Sequence, residues 1–338
     1  MIEMQSPTPT PGAPVPQVLI TGATGTVGHP LARLLAERGD RVRALVRDPA
    51  RAAAVLPPGV EPFAGDLTDP ASVRAAVAGC ESVFHTAGLP EQWLADRSRF
   101  HQVNVLGTER LVEAALAEQV GCFVHTSTMD VFERPQDTPF DESHLAEQPL
   151  RTAYERSKQE ADRLVTEAVG RGLPARITHP SAVFGPGPAT ATALNRLLVD
   201  LARGRAPMLP PGGMAVVANE DLARGHLLAA EAPVGSRYLF SDRFLEMPEI
   251  AALVKESVPA ARIPLTLATP AAWIFAATGE LAAKFTGSAP QLSFGELHFL
   301  TAEVTPDARR ARYELGWQTG DLSTAVAATL SHFRARKS

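Results

Sequence analysis

The sequence has little of several things. Cysteine occurs only at Cys80 and Cys122 in 338 residues, too few for a disulfide framework or a four-cysteine metal site. Both lie in apolar runs and read as buried free thiols, which suits a reducing, cytoplasmic setting. There is no basic excess: 32 Lys+Arg against 37 Asp+Glu give a net charge of −5, which argues against a general nucleic-acid binder. No apolar run reaches the roughly 20 residues of a spanning helix. The longest charge-free apolar stretch, Ile263 to Gly279, is interrupted by Pro264 and Pro270. A buried or surface-active helix over about 270–285 is expected there, and neither a membrane nor nucleic acid is expected as a partner. The start, MIEMQSPTPTPGAPVPQ, lacks the basic and apolar regions of a signal peptide. Residues 1–16 read as a disordered Pro-rich lead-in. The histidines form no HExxH or paired spacing, so no metal is expected. No GxSxG elbow marks a hydrolase.

What is present is an alternation. Hydrophobic residues are 45% and charged residues 20% of the chain, an ordinary globular balance able to bury a sizeable core. Strand-like VLIT (18–21), VRALV (42–46), SVFHTAG (82–88), CFVHTST (122–128) and ARITHPSAVFG (175–185) are separated by helical patterns over 29–39, 71–79, 103–119 and 152–172. This predicts an α/β fold, a doubly wound parallel sheet of Rossmann type. Beyond residue 185 Pro and Gly cluster, and short strands such as 215–218 and 237–240 alternate with helices. A dinucleotide-binding domain over 17–185 is therefore expected. A smaller C-terminal α+β substrate lobe over 186–338 follows, with segments returning to the first domain.

Thr21-Gly22-Ala23-Thr24-Gly25-Thr26-Val27-Gly28 sits between the first strand and first helix. Glycines at 22, 25 and 28 suit a tight turn, close approach to a pyrophosphate and close helix–strand packing, and the helix N-terminus offers N–H groups to phosphate. Gly22, Thr24, Gly25, Thr26, Val27 and Gly28 are expected to hold a dinucleotide. Arg47 ends the second strand and Arg51 follows one helical turn later. Guanidinium groups suit a 2′-phosphate, so NADP is the expected cofactor, with NAD the alternative because Asp48 adjoins Arg47. Asp66, in Gly65-Asp66-Leu67, is placed either to accept from an adenine amine or to cap a turn.

Tyrosine occurs three times and lysine four times, and one of each meets in Tyr154-Glu155-Arg156-Ser157-Lys158. Positions i and i+4 share a helix face. A free tyrosine has a pKa of about 10, too high for acid–base work near neutrality, and a neighbouring ammonium lowers it. Tyr154 is thus fitted to carry a proton to or from an alcohol or ketone oxygen while a cofactor carries hydride. Three consecutive hydroxyl residues, Thr126, Ser127 and Thr128, end the preceding strand, where open α/β sheets bind ligands.

Together with VRDP, GDL, VFHTAG, NVLGTERLVEAA, HPSAVFGPG and NEDLARGHLLA, these motifs make the chain resemble an extended short-chain dehydrogenase/reductase of the NAD-dependent epimerase/dehydratase superfamily. The likeness covers about residues 17–330. VRALVRDP and FVHTST most resemble dihydroflavonol reductase-like and 3β-hydroxysteroid dehydrogenase-like members. The resemblance implies that Tyr154 is the general acid/base, that Lys158 orients the nicotinamide ribose, and that Thr128 supplies the catalytic hydroxyl, with Ser127 as fallback. It implies further cofactor contacts from Leu67, Thr86, Ala87, Gly88, Thr126 and Ser127, and from Pro180, Ser181 and Val183 around the nicotinamide. Asn104 matches a helix start and is expected to be structural. His179 stands where relatives commonly carry arginine. The helices over 103–119 and 152–172 form a homodimer interface in many relatives.

The activity expected is hydride transfer between a nicotinamide cofactor and a ketone or secondary alcohol. The alternative is a nucleotide-sugar epimerase or dehydratase with tightly held NAD. Nucleotide-sugar members commonly carry Arg-Asp-aromatic ahead of their Val-x-Asp segment. The matching stretch here, Gly213 to Leu222, has neither arginine nor aromatic residue. Trp93, Phe100, Phe132, Phe184 and Trp273 make the expected substrate region apolar. A non-catalytic cofactor sensor is disfavoured by the intact Thr, Tyr and Lys.

Overall fold

The computed structural model describes residues 15–90, 94–133, 139–188, 192–286 and 288–335. The lead-in through residue 14 and Trp93 lie outside the described residues. The strands are β1 (Gln17–Thr21), β2 (Arg41–Val46), β3 (Val60–Ala64), β4 (Ser82–His85), β5 (Cys122–Thr126), β6 (Ala175–Pro180), β7 (Ala182–Phe184), β8 (Met208–Leu209), β9 (Gly213–Ala218), β10 (Arg237–Phe240), β11 (Arg243–Glu246) and β12 (Leu265–Thr266). The helices are α1 (Gly28–Glu37), α2 (Pro49–Ala53), α3 (Pro70–Val77), the single turn α4 (Ser98–Phe100), α5 (Leu106–Ala117), α6 (Ala153–Gly170), α7 (Ala193–Ala202), α8 (Asn219–Ala230), α9 (Met247–Ser257), α10 (Thr269–Thr286), α11 (Phe294–Thr301), α12 (Arg309–Glu314) and α13 (Leu322–Ala335).

Seven parallel strands form the main sheet in the order β3-β2-β1-β4-β5-β6-β10. Side chains alternate across each strand, so a strand covered on both faces reads as an unbroken apolar run. In β1, Val18 and Ile20 join Leu31 and Leu35 of α1 and Ala223 of α8 on one face. Leu19 joins Val77 of α3, Leu111 of α5 and Val165 of α6 on the other. A three-stranded sheet, β11-β9-β7, and the pair β12-β8 make the C-terminal α+β region, whose core is closed by α7, α9 and α13.

Two expectations change here. The single strand read over 175–185 is divided. Pro180 has no N–H to extend a ladder, and the Ser181 N–H donates to the Phe240 carbonyl at 3.0 Å. Beyond it, β7 pairs with β9 in the smaller sheet. The helix expected from 103 instead begins with one π-turn, His101–Val105, before α5. The returning segments are β10, which forms the edge of the main sheet, and α8, which packs on it. Among the described residues no helix is long and apolar enough to cross a membrane.

Candidate active site

The glycine loop is fixed by what lies beneath it. Gly22 has φ +76°, and a Cβ there would stand 2.7 Å from the Ala87 nitrogen. A Cβ on Gly28 would stand 2.5 Å from Thr86 Oγ1. The loop therefore lies directly on the residues that follow β4. Gly25 N donates to Gly22 O at 2.8 Å, and His29 N to Gly25 O at 3.0 Å, which leads the turn into α1. This bare-backbone cradle at a helix N-terminus fits a dinucleotide pyrophosphate. Thr24 is half-buried, Thr26 is buried, and the Thr26 carbonyl accepts from Asn219 Nδ2 at 3.0 Å. The same amide donates to Pro186 O at 2.8 Å. Val27 and Val183 both pack against the cluster that holds Trp317.

A chain of hydrogen bonds runs from this loop to the helix carrying Tyr154. Ala87 N donates to Thr21 Oγ1 (3.2 Å), and Thr21 Oγ1 lies 2.8 Å from His85 Nδ1. His85 Nε2 lies 2.9 Å from Thr108 Oγ1, which donates to Asn104 O at 2.6 Å. Because the Thr108 hydroxyl spends its proton on that carbonyl, His85 Nε2 must be the donor and Nδ1 the acceptor. Burial, with Lys158 nearby, pushes the His85 pKa down to about 3, so the ring is neutral. The Asn104 side chain then accepts from Leu89 N (2.8 Å) and donates to Ser157 Oγ (3.0 Å), which donates to Tyr154 O (2.7 Å). Asn104 thus ties Leu89 to Ser157. Gly88 lies against it, where a Cβ would stand 3.3 Å from Asn104 Oδ1.

Tyr154 sits in the first turn of α6. A capping box fixes that turn: Thr152 Oγ1 accepts from Glu155 N (3.0 Å), and Glu155 Oε2 accepts from Thr152 N (2.8 Å). The phenol ring is buried, edge-on to Phe100 with centroids 6.2 Å apart. One turn on, Lys158 Nζ donates to Thr126 O at 2.7 Å. Burial lowers the Lys158 pKa to about 8, against the pull of Asp162. Asp162 also binds His179 Nε2 at 2.8 Å and pairs with Arg237 of β10. Burial alone would raise the Asp162 carboxyl, but His179 and Arg237 hold it well below the usual carboxylate range. The cation opposite Asp162 thus comes from β10 rather than from position 179.

The three hydroxyls after β5 have different surroundings. Thr126 turns its Oγ1 to His226 Nε2 at 2.7 Å, beneath α8. Its carbonyl accepts from Lys158 Nζ. Thr128 Oγ1 donates to Asp130 Oδ2 at 3.0 Å and accepts from Asp130 N at 3.2 Å, capping the turn Met129–Val131. Ser127 Oγ and Ser181 Oγ are buried without a hydrogen-bond partner among the described residues. Buried hydroxyls of this kind normally have partners, so both are open to a bound molecule. Pro180 is buried at the end of β6. His125 on β5 has neither ring nitrogen paired among the described residues, and burial holds it neutral.

At the adenosine end, Arg47 and Arg51 are exposed. Asp48 accepts from Arg51 N at 3.0 Å as the cap of α2. Asp66 Oδ1 accepts from Thr68 N and Thr68 Oγ1, both at 2.8 Å, and Leu67 is buried beside Gly107. Sequence reasoning missed four supporting residues: Thr21, Thr108, Asp130 and Asn219. Each lies inside or next to a quoted motif, but nothing in a motif says which residue its hydroxyl, carboxylate or amide will reach.

The family profile described as NAD dependent epimerase/dehydratase matches residues 18–238. The chain is 32% identical over 328 residues to the sterol demethylase protein B of Methylococcus capsulatus, covering 94% of this chain and 98% of that one. It is 32% identical to the 4-hydroxy-2-methyl-3-oxo-4-farnesyl-3,4-dihydroquinoline-1-oxide ketoreductase of Stigmatella aurantiaca, covering 89% and 91%. The solved structure of gox2253 is similar with a TM-score of 0.81 at 28% identity, over 94% of this chain and 98% of its own. MoeE5 in complex with UDP-glucose and NAD is similar with a TM-score of 0.75 at 22% identity, over 95% and 100%. The NADP expectation does not stand: MoeE5 and other solved structures of this fold hold NAD. The reasoning failed because two exposed arginines near a strand end do not by themselves build a phosphate clamp. A chain whose residues 18–238 fit that profile, and which keeps 32% identity to a curated relative along almost its whole length, belongs to the NAD dependent epimerase/dehydratase family of NAD(P)-binding oxidoreductases and epimerases.

Proposed function

We propose that this protein is an NAD-dependent dehydrogenase or reductase acting on a secondary alcohol or ketone of apolar character. The observation that carries the reading is the pairing of Tyr154 with a buried Lys158 whose ammonium is fixed by the Thr126 carbonyl at 2.7 Å. NAD, when bound, accepts or donates hydride at the substrate carbon. Tyr154 moves the proton at the substrate oxygen, and the Lys158 charge favours its phenolate. Thr128, with Ser127 beside it, hydrogen-bonds the same oxygen. Because Tyr154 takes the one proton of that oxygen, the Thr128 hydroxyl serves as donor to it, turning from Asp130 Oδ2. Gly22, Gly25 and Gly28 hold the pyrophosphate, Asp66 and Leu67 flank the adenine, and Ser181 and Val183 border the nicotinamide. Residues 186–338 supply the substrate lobe. Met129, Val131, Phe132 and Phe140 form a buried apolar cluster behind the turn that carries Thr128. Curated relatives named as ketoreductase and 3 beta-hydroxysteroid dehydrogenase support this class, and with them the dihydroflavonol reductase-like or 3β-hydroxysteroid dehydrogenase-like placement.

The second reading is a nucleotide-sugar epimerase or dehydratase that uses the same tyrosine. The solved structures favour it more strongly than the first, since several are epimerases and MoeE5 holds UDP-glucose. Against it stands β9, which carries no arginine, while Arg196 and Arg205 are exposed and Arg203 donates to Phe333 O at 3.3 Å. A diphosphate leaving water needs fixed cationic donors.

The test is to incubate the protein with NAD and secondary alcohols of alicyclic, aromatic and aliphatic type, and separately with UDP- and dTDP-sugars. Stoichiometric NADH with a ketone product is expected. Redox-neutral conversion of a nucleotide-sugar, with NAD retained through gel filtration, would establish the second reading instead.

A further inference from the structure

Among the described residues, seven buried side-chain polar atoms lack a hydrogen-bond partner. Five of them stand together on or just past β5 and β6: both ring nitrogens of His125, Ser127 Oγ, His179 Nδ1 and Ser181 Oγ. Side chains two apart share one side of a strand. Phe123 and Ile177, two residues before His125 and His179, pack in the core under α5 and α6. The ladders continue past both strands, since Ser127 N donates to Thr178 O at 2.7 Å and Ser181 N to Phe240 O at 3.0 Å. All five atoms therefore lie on the side covered by α6, with Ser127 beside His179 in the register that pairs Thr126 with Thr178. The charged and titratable groups around His125 are His85, its ring centroid 5.2 Å away, Lys158 and Asp162 of α6, and His179. Arg237 of β10 stands behind, on Asp162.

We propose that a file of ordered water links Lys158 to Asp162 through His125 and His179, and that His125 holds this water against the Lys158 ammonium. Buried polar atoms normally have partners, and where the protein supplies none ordered water does, each molecule making about three hydrogen bonds. Neighbouring strands stand about 5 Å apart and same-side residues along a strand about 7 Å, gaps that one water spans between polar tips. The ligand is water and not a cation. Lys158 would repel a cation, and the Asp162 carboxylate is already taken by His179 and Arg237. The direction of every link follows from the chemistry. An ammonium has three N–H donors and no acceptor. Thr126 O takes one of those of Lys158, and a first water takes another. Burial keeps both imidazoles neutral, so each has one donor and one acceptor nitrogen. His179 Nε2 must donate to the carboxylate at 2.8 Å, which leaves Nδ1 as an acceptor. His125 therefore accepts from the first water and donates to a second, and the second donates to His179 Nδ1. Ser127 and Ser181 flank the file with hydroxyls that both donate and accept. All its hydrogen bonds thus run from the ammonium towards the carboxylate, and their dipoles favour the charged form of a lysine that burial would discharge. The use of that charge, to favour the Tyr154 phenolate, rests on the reading of the pair given above; the file itself does not.

The full-length chain carries four lysines, so Lys158 can be followed by NMR of the protein labelled with 15N-lysine. His125→Phe keeps the ring volume without its nitrogens. It should raise the acid dissociation constant of the Lys158 ammonium about tenfold, the scale of one hydrogen bond to a charged group. His125→Gln keeps a donor and an acceptor and should restore most of that loss. In wild-type protein the His125 ring protons should show cross-relaxation with water. An unchanged Lys158 titration in His125→Phe overturns the proposal. So does a glutamine variant that behaves like the phenylalanine one, which would make His125 a matter of packing alone. If His125→Phe does not fold, cross-relaxation with water in the wild type decides: its presence supports the file and its absence overturns it. None of these readouts depends on substrate or turnover. A protein inactive on every alcohol, with the Lys158 response intact, would overturn the proposed activity and support the file.

Discussion

The ends of β1, β4 and β5 and the helix α10 treat polarity in opposite ways. At the strand ends, Thr21, His85, Thr108, Asn104 and Lys158 are all buried, and the hydrogen bonds described above satisfy them. In α10, Ile274, Leu281 and Phe285 stand in the open while alanines fill the interior. Burying a polar group costs free energy unless it is paired, and exposing a large apolar one forgoes burial of about 1.5–3 kcal/mol. Each region therefore departs from the simplest sorting of residues. At the strand ends the departure preorganises donors and acceptors. In α10 it leaves large apolar side chains in contact with solvent.

The largest expected effect lies at the strand ends. Tyr154→Phe should lower turnover by about 10²–10⁴-fold, the usual scale for losing a general acid or base, with NAD affinity and melting temperature close to wild type. Steady-state kinetics with isothermal titration checks this, and near-normal turnover would move the proton to another group. Gly28→Ala comes next. Its methyl would press on Thr86 Oγ1, so it should cost about 1–3 kcal/mol of stability and weaken NAD binding at least tenfold. An unchanged Kd would mean that the cradle gives way easily.

A third prediction concerns pH. The folded protein holds Lys158 protonated only below about pH 8, whereas the unfolded chain does so up to its ordinary value of 10.5. Between the two, the unfolded chain binds the extra proton, so stability conferred by position 158 rises with pH in that window and is least below pH 8. Melting curves of wild type against Lys158→Met should therefore diverge in favour of wild type from pH 8 to 10.5. A constant difference would show that the ammonium is not desolvated.

The smallest effects sharpen the contrast inside α10. Ala276→Leu, facing inward, should destabilise by about 1–3 kcal/mol through overpacking. Phe285→Ser, facing outward, should change stability by no more than about 0.5 kcal/mol. Chemical denaturation of both decides whether the helix really presents its large residues to the outside.

The glycine loop, the Tyr154–Lys158 pair and the doubly wound sheet were legible because each needs given residue types at given spacings. The division of 175–185 was not legible, because strand-forming residues such as Ile177 and Thr178, and Val183 and Phe184, stand on both sides of Pro180 whichever sheet the halves join. The orientation of α10 was hidden for a related reason. Alanine and phenylalanine both score as apolar, and periodicity alone does not say which stripe faces in. Arg47 misled because charge type was visible in the sequence while the placement of the guanidinium was not. Thr126 and Thr128 looked equivalent as hydroxyls, yet one points under α8 to His226 and the other to Asp130.

Asn219 bears on the order in which the protein can be made. Its amide holds the Thr26 and Pro186 carbonyls together, joining a loop near the start of the chain to residues much further along. Chains generally begin folding from the N-terminus as they are synthesised. A nascent chain that has emerged only as far as β7 already contains every glycine of the loop and both Tyr154 and Lys158, yet lacks the clasp that sets the loop against the second lobe. Capacity to hold the nucleotide firmly should therefore arrive late in translation, after residue 219 has left the ribosome, and not when the motif itself does.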